Sequence, residues 1–188
     1  MKKLVFVTSP IALTVLALSS LGLAQRNMAQ HDMAQHDMKS AEPADQSTLF
    51  QTVRNATKQY VDVNAATAAG YGPFLGCVSG SDHGAMGIHY VNGNLLNGTV
   101  NATTPQALIY EPSNGGMTLV GVEFIADAAT WLKNNSAPPV LDGQTFLFVD
   151  APNRFNIPAF FELHVWAWRH NPQGSYVDWN DYVSCSGQ

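Results

Sequence analysis

Residues 160–168 read FFELHVWAW. Side chains of an extended chain alternate between two faces. Glu162, His164, Trp166 and Trp168 would then share one face, and Phe161, Leu163, Val165 and Ala167 the other. The run is rich in aromatic residues and is followed by the turn sequence NPQG at 171–174, which together mark a strand. An acid and an imidazole two positions apart in such an apolar run need partners, and the rest of the chain has to supply them.

Working outward, the same texture recurs in GIHYVN (87–92), ALIYEP (107–112), MTLVGVEFIA (117–126) and QTFLFVD (144–150). Turn chemistry separates these runs: NGN, PSNGG, NNSAPP and DGQ. DAATWLKN (127–134) suits a short helical turn. Upstream, in residues 47–72, Leu49, Val53, Ala56, Tyr60 and Val63 recur at spacings of four and three, the apolar face of an amphipathic helix that Ser47 can cap and Gly70 can end. Between that helix and the first strand, Gly72, Gly76, Gly80, Gly84 and Gly87 punctuate what reads as a loop-rich stretch. The expected fold is α+β: an N-terminal amphipathic helix packed on a mostly antiparallel sheet that curls toward a barrel, forming a single domain over residues 47–188.

Residues 1–24 have the pattern of a secretory signal peptide: Lys2 and Lys3, an apolar run to Leu23, and small residues at Gly22 and Ala24. The short basic start implies a bacterial exported protein, periplasmic or secreted. Cleavage would take the formal charge from −5 to −7, because Lys2 and Lys3 leave with no acid. So acidic a chain is unsuited to nucleic acid or an anionic membrane surface. No later run is apolar for long enough to span a bilayer. Cys77 and Cys185 are both in the exported part, where an oxidising compartment favours a disulfide between them.

Residues 25–46 are polar and read as a disordered tail. Within it the unit Met-Ala-Gln-His-Asp occurs twice and is closed by a further Met. Met28, Met33 and Met38 offer soft thioether sulfur and His31 and His36 offer imidazole, a combination that suits copper. A short duplication that makes a spacer explains the same repeat.

Glu123 has apolar neighbours on both sides in LVGVEFI. A buried carboxylate is costly unless paired, and beyond residue 40 the only Lys and Arg are Arg54, Lys58, Lys133, Arg154 and Arg169. Imidazoles, a metal ion or a bound proton are the remaining ways to neutralise it. His89 at mid-strand in GIHYVN, Glu123, and the pair Glu162 and His164 make a four-ligand nitrogen and oxygen set for a transition metal, copper or zinc, with His83 in the glycine-rich loop as a further candidate. The same groups could instead form a hydrogen-bonded network that fixes sheet register. Glu111, beside Pro112, and Arg169 and His170, before the NPQG turn, are expected to face solvent. Ser79, Ser81, Asp82 and His83 crowd one loop, but no strand-turn-helix elbow frames a serine nucleophile.

Three resemblances follow. The motifs GAMGIHYVN, ALIYEP, LVGVEF and ELHVWAWRHNPQGSYVDWNDYVSC resemble a recurring group of small exported bacterial proteins, over about residues 55–185. That likeness implies a single exported domain and no particular reaction. The tail resembles the Met/His-rich segments of periplasmic copper-handling proteins. The convergence of His and Glu from adjacent strands is similar to the metal sites of cupin-type barrels, although the cupin ligand spacing is absent. Three functions are open at this point. The first is an exported transition-metal-binding protein with a sheet site and a tail site. The second is a metal-dependent enzyme of hydrolase or lyase type, with Glu123 or Glu162 as general base. The third is a metal-free module whose Trp-lined face holds a small ligand or partner.

Overall fold

A computed structural model describes residues 47–187 apart from Asp82. The segment read as a signal peptide (1–24) and the Met/His-containing segment (25–46), with Met28, His31, Met33, His36 and Met38, lie outside the described residues.

The helical segment starts where Ser47 accepts from the backbone N–H of Phe50. It is interrupted, however. α1 covers Thr48–Thr57, a single 3-10 turn covers Lys58–Val61, and α2 covers Val63–Ala68. The expected continuous helix breaks at Asp62, whose extended backbone and side-chain acceptance from the Asn64 N–H begin a new helix. Gly70, at φ +93°, ends α2 in a Schellman turn, with Tyr71 N–H donating to the Ala66 carbonyl and Gly70 N–H to that of Thr67.

The strands are β1 (Gly72–Ser79), β2 (Ala85–Val91), β3 (Ala107–Ser113), β4 (Gly116–Asp127), β5 (Val140–Leu141), β6 (Gln144–Thr145), β7 (Leu147–Val149) and β8 (Phe160–Val165), with a short α3 (Ala128–Trp131) after β4. Six strands form one curled, half-barrel sheet in the order β1-β2-β3-β4-β8-β7, and every pairing is antiparallel. β5 and β6 make a separate hairpin whose turn residues Asp142 and Gly143 both have positive φ, as the DGQ sequence leads one to expect. β1, read in the sequence as loop, is a strand with irregular pairing between Phe74 and Val78.

Alternation divides the sheet into two faces. Leu108, Tyr110, Val122, Phe124, Ala126, Phe161, Leu163 and Val165 form one buried cluster with Leu49, Phe50 and Val53 of α1. On the opposite face a smaller cluster joins Ala85, Ile109, Val120, Trp166 and Val183. The disulfide Cys77–Cys185 ties β1 to the C-terminal segment across 108 residues, worth about 4–5 kcal/mol in the chain-entropy model for a loop of that size. Gly87 has to be glycine: at φ +96° a Cβ would lie 2.7 Å from the Tyr110 carbonyl oxygen. Many of the loop asparagines have a local role. Asn92, Asn97, Asn101, Asn153, Asn171 and Asn180 each accept from the backbone N–H two residues on.

Among the described residues no helix is long and apolar enough to cross a membrane.

Candidate metal centre

The strand register brings the four sequence-predicted residues onto one face. Glu123 of β4 faces His164 of β8, and Ile125 faces Glu162. On the other side of β4, Ala107 of β3 faces Glu123, while His89 of β2 pairs with Ile109, which pairs with Gly121. Antiparallel partners share a face, so His89, Glu123, Glu162 and His164 all point away from the helix side. The imidazoles from β2 and β8 thus meet over two intervening strands, and the absence of a side chain at Gly121 makes room for the Trp166 ring beside them.

They meet closely. His89 Nε2 lies 3.4 Å from Glu123 Oε2 and 3.4 Å from His164 Nε2. The two rings stand edge-on, with centroids 5.7 Å apart. One donor atom from each of His89, Glu123 and His164 lies within 4.8 Å of the others, and all three residues are buried. A second cluster with the same spacing comprises Glu162, His164 and Asp178. His164 belongs to both: Nε2 points at His89, and Nδ1 lies 3.7 Å from Asp178 Oδ1. Neither His164 Nδ1 nor Asp178 Oδ1 has a hydrogen-bond partner, although both atoms are buried.

Asp178 is the member that sequence reasoning missed, because it sits in a turn-rich segment with no alternation to read. Trp166 brings it in. The indole N–H of Trp166 donates to the Val177 carbonyl at 2.6 Å, and its backbone N–H donates to Ser175. The Trp166 ring also stacks on His164, with centroids 6.0 Å apart and planes inclined by 24°.

The remaining sequence candidates are elsewhere. His83 is exposed and stands outside both clusters. Trp168 departs from the expected face. The strand ends at Val165, Ala167 N–H folds back onto the Val165 carbonyl, and Trp168 crosses to the helix side, where its indole donates to Thr57 Oγ1. Glu111 and Arg169 are not free at the surface; they pair with each other, and Glu111 also accepts from the Ser184 N–H. That is the only Lys or Arg ion pair among the described residues. Arg54 lies over the Trp168 ring, and Arg154 over that of Trp179. No basic side chain therefore neutralises Glu123.

The electrostatics follow from that shortage. Burial, then the neighbouring Glu162 carboxyl, which shares a hydrogen bond with it, and then Asp178 raise Glu123 well above the ordinary carboxyl range. Burial raises Glu162 to about 7, the hydrogen bond with Glu123 opposes this, and Asp178 adds to it. Burial lowers His89 to about 4 and, with His89 beside it, holds His164 well below its ordinary value. Without an added cation, burial therefore shifts His89, Glu123, Glu162 and His164 each toward its neutral form.

The cluster is reached through a cavity of about 590 Å³, with His89, Glu123 and Glu162 in its lining. Its other walls are almost wholly apolar, and include Val78, Met86, Ile125, Phe155, Ile157 and Phe160.

Compared with protein-family models, curated proteins and solved structures, the chain finds no match in any of the three.

Proposed function

We propose that the protein is an exported transition-metal-binding protein whose sheet site is formed by His89, Glu123 and His164. The observation that carries this reading is the pair of 3.4 Å separations from His89 Nε2 to the Glu123 and His164 donor atoms. Donor atoms about 2.1 Å from a tetrahedral zinc stand about 3.4 Å from one another. Two imidazoles and a carboxylate suit zinc(II) better than copper(I). Bound there, a dication would neutralise Glu123 where no arginine or lysine does. Asp178 completes the arrangement as the group that orients His164: a metal-ligating imidazole commonly donates its other ring N–H to a carboxylate, and Asp178 Oδ1 is the atom facing His164 Nδ1. Glu162 stands beside Glu123 as a fourth ligand or as a base next to it.

The signal sequence and the tail belong to the same proposal. The tail would collect copper ions through Met28, His31, Met33, His36 and Met38, and the disulfide fits an oxidising compartment.

A specific observation also favours an enzyme. The cavity reaches His89, Glu123 and Glu162, so a metal held there would keep an open side, as catalytic zinc does.

Metal analysis of the whole chain, titrated with zinc and copper and then desalted, tests the proposal. About one zinc should remain in a chain with His31 and His36 replaced by alanine, and none in His89→Ala/His164→Ala. A chain that stays metal-free after both titrations sinks it.

A further inference from the structure

We infer that the cavity above the sheet is a binding site for an uncharged, largely apolar molecule whose hydroxyl or carbonyl oxygen reaches the His89–Glu123–His164 centre; this rests on the metal-binding reading.

The walls set the body of the ligand. Phe74, Leu75 and Leu96 line the cavity and are 40%, 49% and 45% exposed, a concentration of large apolar side chains left in water at the rim. Exposed apolar residues gathered around a concave site mark a binding surface, whereas scattered ones do not. The rim is also shaped at a cost. Leu75 has φ +61°, a left-handed conformation that a residue with a Cβ rarely adopts. It sits in the interrupted pairing between Phe74 and Val78, the stretch that the Cys77–Cys185 bridge anchors. Regular pairing through this stretch would remove the strain, so the strained form is held by its surroundings, as at ligand clamps.

The floor sets the head group. The polar groups lining the cavity are three acids, Glu123, Glu162 and Asp127, with His89, and no Lys or Arg. An anionic head would meet carboxyls with no basic side chain to hold it. A dication balanced by the Glu123 and Glu162 carboxylates leaves the centre without net charge to attract an anionic or a cationic head. A neutral oxygen is a good ligand for a zinc ion with an open side. The volume of about 590 Å³ is in the range for a ligand of moderate size.

The test uses the whole chain, zinc-loaded and zinc-free, with Nile red as the reporter in the cavity and four ten-carbon competitors: decanol, decanone, decanoate and decylammonium. Bound zinc is measured in the same samples. Decanol or decanone should displace Nile red from the zinc-loaded protein only, the two charged compounds should not, and Leu96→Trp at the exposed rim should weaken displacement by about tenfold or more. Displacement that ignores zinc, preference for a charged competitor, unaltered affinity in Leu96→Trp, or no displacement at all would overturn the inference. Zinc retained without displacement removes the ligand site and leaves the metal reading intact. Absence of zinc removes the metal reading, and is seen independently of Nile red.

Discussion

His89 and His164 face each other Nε2 to Nε2 at 3.4 Å although they come from β2 and β8, with β3 and β4 between them and 75 residues of chain separating them. Two imidazoles buried edge to edge cannot both hold a charge there, and burial depresses both. Their approach gains nothing from charge on either ring, but it places two lone-pair donors beside a carboxylate.

Replacing Asp178 by Asn should weaken zinc binding by about 10–100-fold, the usual effect of removing an orienting group behind a metal-bound imidazole. Competition against a zinc chelator would measure it. Unchanged affinity would mean that Asp178 does not orient His164.

The metal-free protein should be less stable at pH 7.5 than at pH 5.5, measured by urea unfolding in the presence of a chelator. Carboxyls normally titrate near 4.5 and imidazoles near 6.5. The folded state raises Glu123 and Glu162 and lowers His89 and His164. Between pH 4.5 and 6.5 the folded carboxyls keep protons that the unfolded chain has lost, so stability falls with pH. Over the same range the folded imidazoles lack protons that the unfolded chain holds, so stability rises with pH. The two slopes oppose each other. Above 6.5 only the carboxyl slope persists, and stability declines through the Glu162 value of about 7. Below 4.5 the imidazole slope persists and stability declines toward acid. Equal or greater stability at pH 7.5 would contradict the burial of these groups.

Glu123→Gln keeps the shape of the side chain and removes the carboxyl that has to take up a proton on folding when no metal is bound. At pH 7.5 the metal-free variant should be more stable than the parent by about 1–3 kcal/mol, while losing zinc. A variant that loses both stability and zinc would show Glu123 to be structural.

Leu163→Ala acts on the other face. Leu163 lies between Glu162 and His164, but its side chain is in the helix-side core. Its truncation should cost about 2–5 kcal/mol and leave zinc stoichiometry unchanged under conditions where the variant is folded. Thermal unfolding and metal analysis on the same sample check both halves.

Where period-two alternation ran unbroken, the sequence was readable to the residue. The facing of Glu123, Glu162 and His164 follows from VEFIA and FFELHV, and Asp142-Gly143 announces its hairpin; upstream the alternation of MTLVG breaks, because a bulge at Val120 puts Leu119 on the helix side although Gly121 and Glu123 are on the other. The failures have local causes. β1 hid behind its glycines and its irregular pairing. Trp168 leaves the face that alternation predicts because the backbone turns after Val165. The helix breaks at Asp62 because that side chain caps α2, although the apolar spacing runs through it unchanged. Asp178 has no periodic context, and only the Trp166 hydrogen bond to Val177 reveals where it goes. That His89 would reach across two strands to His164 required knowing the register of β2, β3, β4 and β8, which no single strand's pattern carries.

The bridge between Cys77 and Cys185 also sets an order of events. The second thiol is made 108 residues after the first, and at ordinary translation rates of roughly 5–20 residues per second that is an interval of several seconds. During that time β2 through β8 are synthesised while Cys77 waits as a thiol. The covalent clasp on the cavity rim therefore cannot close until every strand of the sheet has been synthesised, and an oxidant that captured Cys77 early would leave the rim unfastened.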